Sequence, residues 1–330
     1  MSTATSNVGG PEARLGAARP GGQARPDHVD RPVRRFGWYT PWLFLGPFLV
    51  FFVTFVIYPA INGVWISLHN YDYNFDYRPW VGLQNYIDLF TPGSRDFSLW
   101  WQSLGNTGVF VLISVVPLIV IPMTMALALN RRFPGRTVFR AIFFMPYVLS
   151  VSVIGLLWRY LLDAQAGPVN AILKGIGLAP ISWLQTQPAA WVSILVATVW
   201  WTIGFNTIVF LAGLQNVPSE HYEAASLDGA DRWQQFWHIT VPGLRPVIIF
   251  IVITTVLASA NLFGQPYIMT TGGPANSTRT AIMYIAESGL KQSRMGMAAA
   301  MGYLLGLILV IVSIVNFWLT SGGWKRKGSR

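Results

Sequence analysis

Two groups of residues in this 330-residue chain have types and spacings suited to chemistry. The first is charged: Glu220, Glu223, Asp228, Asp231 and Arg232 fall within thirteen residues of a sequence that is only 11% charged. Carboxylates in such a cluster cap helices or pair with cations across an interface, and their spacing offers no acid and base couple. The second group is neutral: Trp200, Trp201, Thr202 and Asn206 lie in one apolar run, and Asn261, Gln265 and Tyr267 in another. An amide in lipid is costly unless it finds a partner, so these residues either hydrogen-bond neighbouring helices or line a passage. Amide hydrogen bonds combined with aromatic stacking suit a hydroxyl-rich, uncharged solute.

Other chemistry is missing. The chain has no cysteine, which removes disulfides, thiolate metal sites and thiol nucleophiles. His28, His69, His221 and His238 are scattered and form no helical ligand pair. No G-x-x-x-x-G-K-[ST] run is present to cradle a nucleotide phosphate. The expectation is a non-catalytic chain that itself holds no cofactor or metal.

The elements that position the two groups follow from where charge is absent. Six charge-free intervals, 36–71, 97–130, 141–158, 175–219, 246–278 and 295–324, are each long enough for a helix to cross a bilayer. A crossing of the ~30 Å hydrocarbon core takes about 20 residues. The predicted fold is therefore all-α and polytopic, with six transmembrane helices near 41–68, 104–129, 139–162, 190–215, 246–269 and 297–320. Sixteen of the twenty-three Lys and Arg residues fall in the N-terminal tail, the 130–140 loop, the 216–245 loop and the C-terminal tail. By the positive-inside rule both termini are cytoplasmic. The net charge of +10 is then a signal of topology and of contact with anionic membrane lipids, not of nucleic-acid binding.

Residues 1–35 carry four prolines, five glycines and six arginines without an apolar run, and read as a disordered cytoplasmic tail. They are followed by a membrane domain over 36–324 and a basic tail over 325–330. Pro47, Pro59, Pro117, Pro122, Pro146 and Pro266 fall in or at the ends of the spans, where neighbouring helices and hydroxyls can satisfy the carbonyls they free. Gly302 and Gly306 form a small-xxx-small face suited to close helix approach.

Between spans four and five, residues 216–243 read as a folded knob. Ser219 is placed to cap a helix that Gly229 ends; Asp231 caps a second, on which Trp233, Phe236 and Trp237 form an aromatic stripe until Pro242. Glu223-Ala224-Ala225, three residues, Gly229, nine residues, then Ile239-Thr240-Val241-Pro242 resembles the EAA signature of permease subunits of bacterial ABC importers, with Val241 where leucine is usual. Trp42-Leu43-Phe44-Leu45-Gly46-Pro47, Tyr58-Pro59, Ser67-Leu68, Val81-Gly82-Leu83-Gln84-Asn85-Tyr86, Phe144-Met145-Pro146 and the 271–278 segment are similar, in order, to carbohydrate-type permeases. The Leu211-Ala212-Gly213-Leu214-Gln215 lead-in is more like the first of two non-identical permeases, the maltose or glycerol-phosphate type.

That resemblance implies a multi-pass plasma-membrane subunit that moves a sugar or sugar-like solute by alternating access. It implies a second homologous permease, an ABC ATPase dimer that binds ATP and Mg, and an extracytoplasmic solute-binding protein. It also implies that Glu223, Ala224, Ala225, Gly229, Ile239 and Pro242 form the ATPase-coupling surface. The proposed substrate path is Trp200, Trp201, Asn206, Asn261, Gln265 and Tyr267. Residues 163–187 and Gly272-Gly273-Pro274 are candidates for contact with the binding protein. Two other functions compete. An ion-coupled secondary transporter of a neutral solute would normally place a carboxylate in mid-membrane, and the six intervals lack one. A membrane enzyme should show a catalytic His, Asp or Glu set, for which only the 220–231 cluster competes.

Overall fold

The computed structural model describes residues 39–131 and 133–321. The expectations for the 1–35 and 325–330 tails fall outside them. Among the described residues regular structure is helical, with no β-strand and isolated bridges at His69–Trp80 and Asp72–Arg294. In chain order the principal helices are α1 (Trp42–Ser67), α2 (Phe97–Asn130), α3 (Arg136–Val148), α4 (Val151–Leu161), α5 (Ala189–Gln215), α6 (Ser219–Leu227), α7 (Arg232–Gly243), α8 (Arg245–Ala260), α9 (Ala281–Ala286) and α10 (Met295–Ser321). The chain divides into two units between Phe55 and Val56. The described part of the first is an apolar helix carrying its own i,i+4 ring stacks, Phe48–Phe52 at 5.7 Å and Phe51–Phe55 at 6.1 Å.

Four helices, α1, α2, α5 and α10, are long and apolar enough to cross a bilayer, and the bent pairs α3/α4 and α7/α8 raise the number to six if each is one span. The third expected span, 139–162, is sharply bent: α3 and α4 meet at 99°. With 13 and 11 residues, they are only ~20 and ~16 Å long. Leu149 and Ser150 adopt extended backbone at the break. Ser150 Oγ accepts the Val153 N–H at 3.4 Å and so restarts the helix as its N-cap. The break leaves the Leu149 carbonyl without a helical partner, and Trp201 Nε1 donates to it at 3.1 Å.

The fifth expected span, 246–269, is corrected. Its helix ends at Ala260, and the chain resumes as a wide turn over Pro266–Thr270. Pro266 has no N–H for the Leu262 carbonyl, which accepts instead from Thr280 Oγ1 at 2.7 Å. The same device works inside α2: Pro122 frees the Leu118 carbonyl, and Asn206 Nδ2 of α5 donates to it at 3.0 Å. Prolines that would weaken a lone helix thus become points where another element is fastened.

Close packing comes from glycines. A Cβ at Gly204 of α5 would lie 2.2 Å from the Phe143 carbonyl oxygen of α3. One at Gly264 would lie 2.4 Å from Val151, and one at Gly155 2.9 Å from Ile268. At Gly302 and Gly306 an added Cβ meets nothing within 4 Å, so no described residue fills the small-residue face of α10. The buried core runs along α2, α5 and α8 through Ala126, Phe210, Leu211, Leu214, Leu244 and Ile251.

A second core, around Trp100, Tyr284, Met297 and Met301, contains a charge pair that composition did not reveal. Asp96, 2% exposed at the start of α2, accepts Arg294 Nη1 at 2.8 Å, Arg294 Nη2 at 2.6 Å and the Tyr284 hydroxyl at 2.7 Å. Burial alone would raise the Asp96 pKa; the hydrogen bonds from Arg294 and Tyr284 and the Arg294 charge outweigh it and hold the carboxyl below its usual range. Those contacts raise the Arg294 pKa, chiefly through the hydrogen bond to Asp96. The triad ties the first residues of α2 and α10 to α9.

Nearby, Asn85 Nδ2 donates to the Ser67 and His69 carbonyls at 2.8 and 3.0 Å, and the Tyr86 hydroxyl donates to Ser67 Oγ at 2.8 Å. The 81–86 motif therefore caps the end of α1.

Candidate functional site

The knob between α5 and α8 is built by local rules. In α6 the Ala230 N–H reaches the Ala225 carbonyl at 2.9 Å and the Gly229 N–H reaches Ser226 at 3.2 Å, a Schellman ending with Gly229 at φ +81°. Asp231 then opens α7 with a reciprocal box: its Oδ1 accepts the Gln234 N–H at 2.7 Å while Gln234 Oε1 accepts the Asp231 N–H at 2.9 Å. Ser219 proves to be the first helical residue and not the cap, and no side chain caps α6. Pro242 does not stop α7 either: a π turn over Phe236–Thr240 widens the helix ahead of it, and the chain runs on to a 66° bend into α8.

Two hydrogen bonds hold α6 against α7, Tyr222 Oη with Thr240 Oγ1 at 3.0 Å and Gln235 Nε2 to Ser226 Oγ at 3.0 Å, and Gln235 Nε2 also donates to the Ala230 carbonyl of the corner between them at 3.1 Å. Glu223, Ala224 and Gly229 are exposed on the result, Ala225 and Ile239 are half-buried, and Pro242 is exposed. Leu227 is 90% exposed and Trp233 68%. The knob is a preformed surface with apolar residues facing outward.

The neutral residues meet in a cavity of about 520 Å³ between α2, the α3/α4 break, α5 and the 254–265 segment. Its lining includes Trp201, Asn206, Asn261 and Gln265, four of the six residues singled out for a path. Tyr147, Phe205, Thr198, Thr202, Thr254, Thr255 and Ser259 join them, and no charged residue does. Tyr147 and Phe205 stack at 4.9 Å, an aromatic wall with Trp201 beside it at 6.5 Å from Tyr147.

The polar groups differ in how far they are committed to the scaffold. Trp201 and Asn206 spend their N–H donors on the Leu149 and Leu118 carbonyls. Asn261 donates to Leu257 within its own helix at 2.7 Å. Gln265, 3% exposed, lines the cavity, and its side chain makes no hydrogen bond among the described residues. An amide that opens on a cavity without a partner in the scaffold can both donate to and accept from a solute.

Trp200 and Tyr267 do not line this cavity. Trp200 packs edge-on to Trp158 at 5.9 Å. Tyr267 stacks on Phe263 at 5.0 Å, carries the Lys291 ammonium 4.9 Å from its ring centre, and lines a separate cavity of about 320 Å³ with Arg159 and Glu287. Tyr147 and Phe205 were missed because their rings meet only through the packing of α3 on α5. The 271–278 segment is held by Asn106 Nδ2, which donates to the Asn276 and Arg279 carbonyls at 2.7 and 2.9 Å, with Thr271, Ala275 and Asn276 at positive φ. Among the described residues no group of His, Cys, Asp or Glu could hold a metal ion.

Comparison with known proteins decides what such an assembly is. The family described as "Binding-protein-dependent transport system inner membrane component" matches residues 118–322. The chain belongs to that family. As a member it is a multi-pass plasma-membrane permease subunit of a binding-protein-dependent importer and the non-catalytic component of that transporter.

Relatives include the arabinooligosaccharides transport system permease AraP of Halalkalibacterium halodurans, 32% identical over 87% of this chain and 89% of the relative. The trehalose/maltose transport system permease MalF of Thermococcus litoralis is 33% identical over 86% of this chain and 94% of its own length. In fold, the permease resembles a chain of a bacterial ABC transporter involved in import of the acidic polysaccharide alginate, with a TM-score of 0.71 over 88% of this chain and 96% of that one at 22% identity.

Proposed function

We propose that this permease moves a sugar or sugar-like neutral solute across the plasma membrane by alternating access through the 520 Å³ cavity. The observation that carries the proposal is the uncharged lining, into which opens a Gln265 amide that no described side chain engages. Hydroxyl groups satisfy such amides, and Tyr147 with Phe205 offers the flat apolar face that a pyranose ring covers. The names of the relatives, permeases for arabinooligosaccharides and for trehalose and maltose, support that solute class.

The same proposal treats each bent pair as one span, giving six, with both termini and the 130–140 and 216–245 loops in the cytoplasm. A separate ABC ATPase dimer, binding ATP and Mg, docks on Glu223, Ala224, Ala225, Gly229, Ile239 and Pro242. A second homologous permease completes the passage and covers the open Gly302/Gly306 face. A solute-binding protein delivers the ligand outside, where residues 163–187 and the Gly272-Gly273-Pro274 turn face it. Energy must come from outside the chain: driving a two-state gate from 1:99 to 99:1 takes about 5.5 kcal/mol, within reach of ATP binding by a partner.

The test of the path is uptake by the assembled transporter carrying Gln265→Ala or Asn261→Ala. Gln265→Ala is expected to raise the half-saturating solute concentration about tenfold, the loss of one or two buried hydrogen bonds. Asn261→Ala is expected to do less, because its donor is already taken by Leu257. Wild-type affinity and rate in both variants would remove this segment from the path.

A further inference from the structure

Between Asp96 and Asp163 the chain has no acidic residue, yet Arg131, Arg132, Arg136 and Arg140 fall within ten positions of one another. Arg140 is anchored, its Nη2 donating to the Leu129 carbonyl at 3.0 Å. Arg131 is exposed at the end of α2, and no ion pair or side-chain hydrogen bond engages it among the described residues. It stands in an open trough of about 600 Å³ whose other walls are Thr124, Leu127, Ala128 and Phe133.

An exposed apolar ridge leads up to that trough at i,i+4 spacing: Leu112, Val116 and Val120 are 77, 63 and 51% exposed. A single guanidinium therefore terminates a long apolar strip. The strip lies along a helix of 34 residues, which at ~51 Å outruns the ~30 Å hydrocarbon core and carries its ends to headgroup depth.

We propose that this trough binds an anionic phospholipid, with one acyl chain along Val116, Val120 and Ala128 and the headgroup phosphate on Arg131. Charge favours this occupant. A guanidinium that no described carboxylate pairs with, next to three further arginines in sequence, sits where a phosphate meets it bidentately and where anionic lipid is concentrated. The apolar wall matches an acyl chain, which neither free phosphate nor a nucleotide could use. The site rests on the reading above that α2 is a span whose 131 end faces the cytoplasm.

The experiment uses the assembled transporter, purified with its partner chains in a neutral detergent and titrated with phosphatidylglycerol, phosphatidylcholine or inorganic phosphate. Bound lipid is counted by native mass spectrometry. Phosphatidylglycerol is expected to bind in preference to phosphatidylcholine, and millimolar phosphate to leave it in place. Arg131→Gln is expected to weaken it about fivefold, the effect of one basic residue at an anionic surface. Ala128→Trp, which fills the trough without touching charge, should weaken both lipids. Arg95→Gln, at the other end of α2, should change nothing.

Unaltered phosphatidylglycerol binding in both trough variants would overturn the proposal, as would equal affinity for phosphatidylcholine. Displacement by inorganic phosphate would assign the site to free anions instead. Loss of the second permease from either trough variant would assign the face to a protein interface. A cysteine placed at Gly135 in this cysteine-free chain, labelled from one side or the other with an impermeant maleimide, checks the sidedness separately. External labelling would overturn that topology whatever the lipid result.

Discussion

Asp96→Ala is expected to destabilise the protein by about 3 kcal/mol, because it removes a buried carboxylate and strands the half-buried Arg294 guanidinium without its counter-charge. The pair is bidentate, at 2.8 and 2.6 Å, with Asp96 2% and Arg294 25% exposed. The Tyr284 hydroxyl, which donates to the same carboxylate, would lose its acceptor as well. Arg294→Lys should recover part of the loss of an Arg294→Ala variant, since lysine keeps the charge but not the fork.

The pH dependence follows from the sign of the shift. The Asp96 pKa is lowered in the folded state, so its contribution is complete above the unfolded value and fades as pH falls through the folded one. Acid below about pH 4 should therefore narrow the gap between the wild type and Asp96→Ala. Thermal unfolding of detergent-solubilised protein at pH 7 and pH 3 measures both effects. Equal melting temperatures for wild type and Asp96→Ala at pH 7 would show that the pair contributes nothing net, as exposed pairs often do.

Gly229→Asp is expected to abolish ATP-driven uptake while leaving the chain inserted at wild-type levels. An added Cβ at Gly229 meets nothing within 4 Å, so the fold has room for a side chain; the position's φ of +81° is what disfavours one. That backbone cost, about 1–2 kcal/mol, falls on an exposed corner held by two Schellman bonds and should not unfold the membrane helices. The damage is at the surface. A third carboxylate beside Asp228 and Asp231 would stand where the ATPase is proposed to make its closest backbone approach. Gly229→Ala carries the strain without the charge and should lose less. Uptake in energised vesicles, normalised to inserted protein, separates the two; normal transport by Gly229→Asp would sink the proposed coupling role of this corner.

Where sequence was informative, a local rule was at work. Gly229 and Asp231 were readable because a left-handed C-cap and a capping box each need a particular residue at a particular place. The long apolar helices were readable because lipid tolerates almost no charge along them. The two bends were not. Pro146 and Pro266 announce weakness, but whether a helix kinks or breaks depends on who takes the carbonyls left free, Leu149 at the α3/α4 break and Leu262 ahead of Pro266, and the takers, Trp201 and Thr280, are 52 and 18 residues away. The cavity was half legible for the same reason. Gln265 and Asn261 stand out as amides in an apolar run, whereas Tyr147 and Phe205 look like any apolar-run aromatics until α3 packs on α5 and stacks the rings. Asp96 and Arg294 sit just outside two apolar runs, the ordinary place for charges, and nothing in their spacing of 198 residues hints that they pair.

The uncharged cavity wall has an electrical meaning. An elementary charge crossing the membrane exchanges about 2.3 kcal/mol with every 100 mV of potential. A neutral solute threading a wall without fixed charge carries no current and feels none of that field. For the neutral solute proposed, the cell's voltage then neither drives the cargo inward nor drains it back, and the proposed nucleotide cycle would set the accumulation ratio even in a cell whose membrane has depolarised.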